Sequence, residues 1–239
     1  MRAFLFCICC AGALFLPSVC PGQAPTQAEP PSDAHPEAPA KPRDWFNKGD
    51  WEGQFLSGYY PTSGLGSGGI AFAAGPDGKA LPTQRIYVDL VPIQFRIGYT
   101  PVCVLFDGTI FRGNTEFLLE WAADPITREY GNYMTGPSLL IRHNFQPRGW
   151  RLVPYAQAGA GILLDDAYHN QEQRLIGGPS EFLLQAELGL HYFINQSCSI
   201  DAEGGYQHVS NADTYRRNVG INNVGGTIGF SYHFGACGH

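Results

Sequence analysis

From Trp51 onward, apolar and polar residues alternate with a period of two, the mark of strands whose two faces meet different surroundings. Ile93, Phe95, Ile97 and Tyr99 alternate with Gln94, Arg96 and Gly98. Phe117, Leu119, Trp121 and Ala123 alternate around Glu116 and Glu120, and Leu184, Ala186, Leu188, Leu190 and Tyr192 around Gln185, Glu187, Gly189 and His191. Val224, Ile228, Phe230, Tyr232 and Phe234 alternate with Gly225, Thr227, Gly229, Ser231 and His233. Weaker alternation marks four more segments, near Trp51–Tyr60, Thr135–Phe145, Arg151–Leu163 and Ser199–Ser210. No segment keeps a helical period for long. The pattern predicts about eight strands, the smallest number found in outer-membrane barrels.

The alternation also says which side faces what. Arg96, Glu116, Glu120, Arg142, Gln185 and Glu187 would be costly against lipid, so they point into the lumen, and the aliphatic and aromatic set points outward. A soluble, lipocalin-like barrel would do the reverse, and it is disfavoured because small, Gly-rich and charged residues share one face. Connections orient the barrel. Gln146–Gly149 and Asn195–Ser197 are tight, whereas Pro61–Arg85 and Leu164–Ser180 are long. Short turns belong on the periplasmic side and long loops outside, so odd-numbered barrel strands run outward. The apolar link Val102–Ile110 and the tail Gly235–His239 fit this scheme less well.

Ahead of the alternating region, Ala3–Leu16 is continuously apolar after Arg2. It is too short for a spanning helix but fits a secretory signal peptide, with cleavage between Gly22 and Ala28. This gives a leader over 1–28, a Pro- and Ala-rich linker over 29–48 and a barrel over 49–239. Composition agrees. Only 15% of the 239 residues are charged, 30 are Gly and 13% are aromatic, which excludes coiled coils and a disordered chain. Fifteen basic residues against 21 acidic ones exclude nucleic acid as a partner. Four of the seven Cys lie in the leader; Cys103, Cys198 and Cys237 remain. A Cys198–Cys237 disulfide and free thiols both stay open at this point.

Most short motifs carry nothing. The GxGxxG string at Gly64–Gly69 lacks a following helix. His233, Cys237 and His239 match no standard metal spacing, so no metal site is expected. The informative segment is Gly204–Ala212 (GGYQHVSNA). His208 and Ser210 are two apart on a strand and share a face with Tyr206, Gly204, Ala202 and Ile200, opposite Gln207, Glu203 and Asp201. That puts them toward lipid near the outer rim. A His there can take the Ser proton while the oxygen attacks an ester carbonyl. Two polar residues can also simply mark where the strand leaves the membrane.

The run His208-Val209-Ser210-Asn211-Ala212, followed by Asn218-Val219-Gly220, resembles the C-terminal motif of PagL-type lipid A 3-O-deacylases, also known as acyloxyacyl hydrolases. Fainter likeness runs through Pro154–Ile162 and Phe182–Phe193. The resemblance implies Ser210 as nucleophile, His208 as base and Asn211 as part of the oxyanion site, with Asn218 and Gly220 shaping the returning loop. Characterised members carry a Glu twelve residues after the Ser to orient the His; here that position is Asn222. An Asn holds a tautomer through its carbonyl oxygen but supplies no charge. A hairpin centred near Tyr215 pairs residues whose numbers sum to about 430, setting Asn222 opposite His208 on the same face. Asp213 is a loop alternative, and Glu203 faces the lumen.

These readings predict an all-β, eight-stranded antiparallel transmembrane barrel in the bacterial outer membrane. Its expected activity is ester hydrolysis on lipid A of lipopolysaccharide at the lipid-facing wall, without a cofactor. The alternative is a non-catalytic barrel serving as an anchor, adhesin or envelope-stability protein.

Overall fold

The computed structural model describes residues 44–63, 71–74, 80–128, 130–173 and 175–235. Its strands, in chain order, are β1 (Trp51–Tyr59), β2 (Ala71–Ala74), β3 (Ala80–Ile86), β4 (Ile93–Tyr99) and β5 (Gly113–Pro125). They are followed by β6 (Tyr133–Phe145), β7 (Leu152–Asp165), β8 (Ser180–Phe193), β9 (Cys198–Ser210) and β10 (Ile221–Phe234). Among the described residues, β1 and β4 to β10 close into an eight-stranded barrel in which every pairing is antiparallel. Closure removes the free edges that an open sheet of this composition would present. β2 and β3 form a separate hairpin inside the first long connection, where the sequence reading expects only loop. The expected leader over 1–28, the Gly64–Gly69 string, Cys237 and His239 lie outside the described residues; Cys198 is half-buried and Cys103 exposed.

The barrel is inside-out relative to a soluble protein. Phe95, Leu119, Ile141, Leu188 and Ile228 point outward and are exposed, while Arg96, Glu116, Glu120, Arg142 and Glu187 are buried in the lumen. In water such an apolar wall would drive aggregation; against hydrocarbon it is the low-energy surface. Strands β5 to β10 have 13 or 14 residues, more than the ~9–11 a tilted strand needs to cross a bilayer.

Charges in the lumen survive because they are paired. Arg96 lies 2.6 Å from Glu120 and 2.7 Å from Glu203. Arg142 donates to Glu52 at 2.9 Å, Gln54 at 2.7 Å and Gln157 at 2.8 Å, and its guanidinium sits 4.5 Å over the Tyr155 ring. Removing one member of such a buried pair leaves an uncompensated charge, at about 3–5 kcal/mol.

Each mouth carries an apolar cluster. At the end bearing Ser210, Tyr60, Leu90, Met134, Leu175, Val209 and Ile221 pack together. At the other end Phe46 packs with Val153 and Phe193, and the Trp45 ring stacks on Phe193 at 4.3 Å. The Trp45 and Phe46 amides both donate to Gln146 Oε1, at 2.9 and 3.0 Å. Residues 44–48, expected as the end of the linker, are therefore held against the barrel, because two aromatic rings there cover its open apolar mouth.

Candidate active site

The β9–β10 ladder runs in the expected register. His208 pairs with Asn222, Tyr206 with Val224 and Ile221 with Val209. Even-numbered residues of β9 face outward, so Tyr206, His208 and Ser210 stand in one row on the wall, half-buried, while Gln207 and Glu203 are buried in the lumen. Asn222 also lies on the outward side, yet it is fully buried beneath its neighbours.

Three of these side chains form a chain of contacts. His208 Nδ1 lies 2.6 Å from Asn222 Oδ1, and the Tyr206 hydroxyl donates to the same oxygen at 2.5 Å. A carbonyl oxygen only accepts, so Nδ1 carries the proton and Nε2 is left with its lone pair. That is the tautomer a general base needs. Asn222 Nδ2 is buried without a hydrogen-bond partner among the described residues. Tyr206 is the residue that the sequence reading passes over. Its parity with His208 was visible, but its reach to a diagonal neighbour on β10 depends on the rotamer.

Gly220 lies beside both Ser210 and His208. Its φ is +75°, in the left-handed region that glycine occupies without strain. A Cβ there would lie 3.2 Å from His208 Cε1 and 3.4 Å from Ser210 Cβ, so both side chains border the space a larger residue would fill. No hydrogen bond joins Ser210 to His208 among the described residues. The chain then turns sharply: Ala212 and Asp213 both take positive φ, and the Thr214 amide donates to Asn211 carbonyl at 2.9 Å.

The other expected site residues build the loop. The Asn211 amide donates to Asn218 Oδ1 at 2.9 Å and its Nδ2 to the Arg217 carbonyl at 2.8 Å. Asn218 Nδ2 donates to Asp213 Oδ1 at 2.9 Å, so Asp213 is engaged in the loop. The Gly220 amide donates to the Leu175 carbonyl at 3.2 Å. Asn211 thus anchors the loop through its amide and its side chain. Arg217 ties this loop to the preceding one, donating to the carbonyls of Tyr168, Asn170 and Gln173 at 2.8, 2.8 and 3.0 Å. Exposed Phe182, Leu184 and Val219 surround the group with apolar surface; Phe182 pairs with Ser210 and Leu184 with His208.

A closed eight-stranded barrel with an apolar outer wall and a charged, paired lumen defines a bacterial outer-membrane protein, and it carries a Ser/His/Asn group on its lipid-facing side. The family described as lipid A 3-O-deacylase (PagL) matches residues 93–231, more than half of the sequence. The chain belongs to that family. No curated protein matches it by sequence. Among solved structures, neisserial surface protein A (NspA) is 12% identical with a TM-score of 0.50, over 78% of this chain and 98% of that one. The N-terminal β-barrel domain of Pseudomonas aeruginosa OprF is 15% identical with a TM-score of 0.47, over 79% and 100%. The outer-membrane enzyme PagL is 12% identical with a TM-score of 0.45, over 77% and 98%. At such identities, the likeness to NspA speaks for the barrel fold alone.

Proposed function

We propose that this chain hydrolyses an ester-linked acyl chain of lipid A in the outer leaflet, at the lipid-facing group of Ser210, His208 and Asn222. The observation that carries the reading is the 2.6 Å contact from His208 Nδ1 to Asn222 Oδ1, in a site that borders Ser210 and faces the membrane. His208 Nε2 takes the proton as Ser210 Oγ attacks the ester carbonyl carbon. The tetrahedral intermediate collapses to an acyl-Ser210, and the sugar hydroxyl leaves with the proton from His208. Water, deprotonated by the same nitrogen, then releases a fatty acid and restores Ser210. Asn222 keeps Nε2 aimed at the nucleophile but adds no negative charge to steady the imidazolium. Substrate arrives by lateral diffusion along the apolar wall and never enters the lumen.

The test is mass spectrometry of lipid A from a diderm host expressing the chain, beside Ser210→Ala. Loss of one acyl chain with the wild type alone supports the reading and identifies the chain removed. Unchanged lipid A, with the barrel folded in the outer membrane, rejects it in favour of a non-catalytic barrel.

A further inference from the structure

At the end of the lumen away from Ser210, Glu52, His191 and His233 gather from three strands. Glu52 of β1 and His233 of β10 are direct partners across the closing ladder, and His191 reaches in from β8. All three are buried. One donor atom from each lies within 4.8 Å of the others, and His233 Nδ1 is 3.7 Å from Glu52 Oε2. The geometry points to a binding site for one divalent transition-metal cation, zinc by preference, held by Glu52, His191 and His233 inside the barrel.

The surrounding hydrogen bonds prepare both rings for this. His191 Nδ1 donates to Asp201 Oδ1 at 2.7 Å, which leaves the ring's lone pair on Nε2. Ser199 Oγ donates to the same carboxylate at 2.8 Å, so it accepts from His233 Nε2 at 3.0 Å and leaves His233 Nδ1 free. A carboxylate or hydroxyl behind a ligating imidazole is the usual device for fixing its tautomer. The third ligand shows an independent sign. Glu52 Oε1 accepts from Arg142 and Ser231, but Oε2 is buried with no hydrogen-bond partner.

Charge favours the same conclusion. Glu52 and Glu116 both face Arg142, and Asp201 faces His191, so this end of the lumen gathers three carboxylates beside the Arg142 guanidinium, an acidic setting that suits a divalent cation. Arg142 also lies 3.5 Å from His191 Nε2, at the limit of a hydrogen bond, and it keeps Gln54 and Gln157 when a metal takes that lone pair. Two imidazoles and a carboxylate, with water as a fourth ligand, suit zinc, whose ligands sit about 3.4 Å apart around a tetrahedral centre. Closing the set to that spacing requires side-chain shifts of about 1 Å.

The decisive experiment uses full-length protein without a histidine tag, extracted from outer membranes in detergent, stripped with chelator and gel-filtered after addition of zinc. The expected result is about one zinc retained per chain, and cobalt in its place gives visible d–d absorption. Glu52→Gln and the double change His191→Ala with His233→Ala lower retention about tenfold or more, while His143→Ala and Ser210→Ala leave it unchanged. Folding is followed by the shift in gel mobility on heating. Folded wild type that retains no zinc and gives no cobalt absorption overturns the proposal, and so does equal retention by the double variant. Because Ser210→Ala keeps the metal, this site and the deacylase reading stand or fall separately.

Discussion

His208 and Asn222 face each other across the β9–β10 ladder, and the imidazole Nδ1 touches the amide oxygen at 2.6 Å. The contact fixes which ring nitrogen is basic without placing a charge behind it. The first prediction follows from that difference. Asn222→Asp keeps the reach and adds the charge, and is expected to raise turnover on purified lipid A about tenfold or more. Asn222→Ala is expected to lower it by a similar factor. Rates from mass-spectrometric time courses decide; an unchanged rate for both variants would remove Asn222 from the mechanism.

Tyr206 holds the other side of the same oxygen. Its hydroxyl donates to the oxygen that meets His208 and so steadies the Asn222 side chain. Loss of one such hydrogen bond is worth about 1 kcal/mol, or roughly fivefold. Tyr206→Phe should therefore lower kcat about fivefold with KM unchanged, and a change confined to KM would point to a substrate contact instead.

Gly220 is constrained twice, by its φ of +75° and by His208 and Ser210 around its missing side chain. Gly220→Ala is expected to cost about 1–2 kcal/mol in urea unfolding from lipid vesicles. Its activity should fall further than the lost folded fraction accounts for. Activity that tracks the folded fraction would make Gly220 a loop residue only.

In the lumen, Arg142→Met leaves Glu52 and Glu116 without their cation. The expected loss is about 3–5 kcal/mol, read from the urea midpoint at constant slope. A loss below about 1 kcal/mol would mean that water or protons already neutralise those carboxylates.

Much of this was legible in the sequence because a strand period of two has only one lipid-compatible reading when the polar phase contains Arg96, Glu116 and Arg142. The His208–Asn222 pairing followed from the same parity and a hairpin centred near Tyr215. Three features were not legible. Trp45 and Phe46 precede the first strand in a Pro-rich context and show no alternation. The β2–β3 hairpin lies where Gly and Pro mask any period. The Glu52–His233 pairing depends on how the barrel closes, and closure joins its first and last strands at a stagger that no local pattern records.

The filled interior has a consequence for the cell that would carry this protein. Arg96 and Arg142, with their acidic partners, occupy the lumen, and apolar clusters close both mouths. An interior filled this way is expected to leave no continuous water path from one mouth to the other, so the outer membrane could hold many copies without weakening as a permeability barrier. Single barrels in planar bilayers should accordingly be electrically silent, in contrast to wider, water-filled porins.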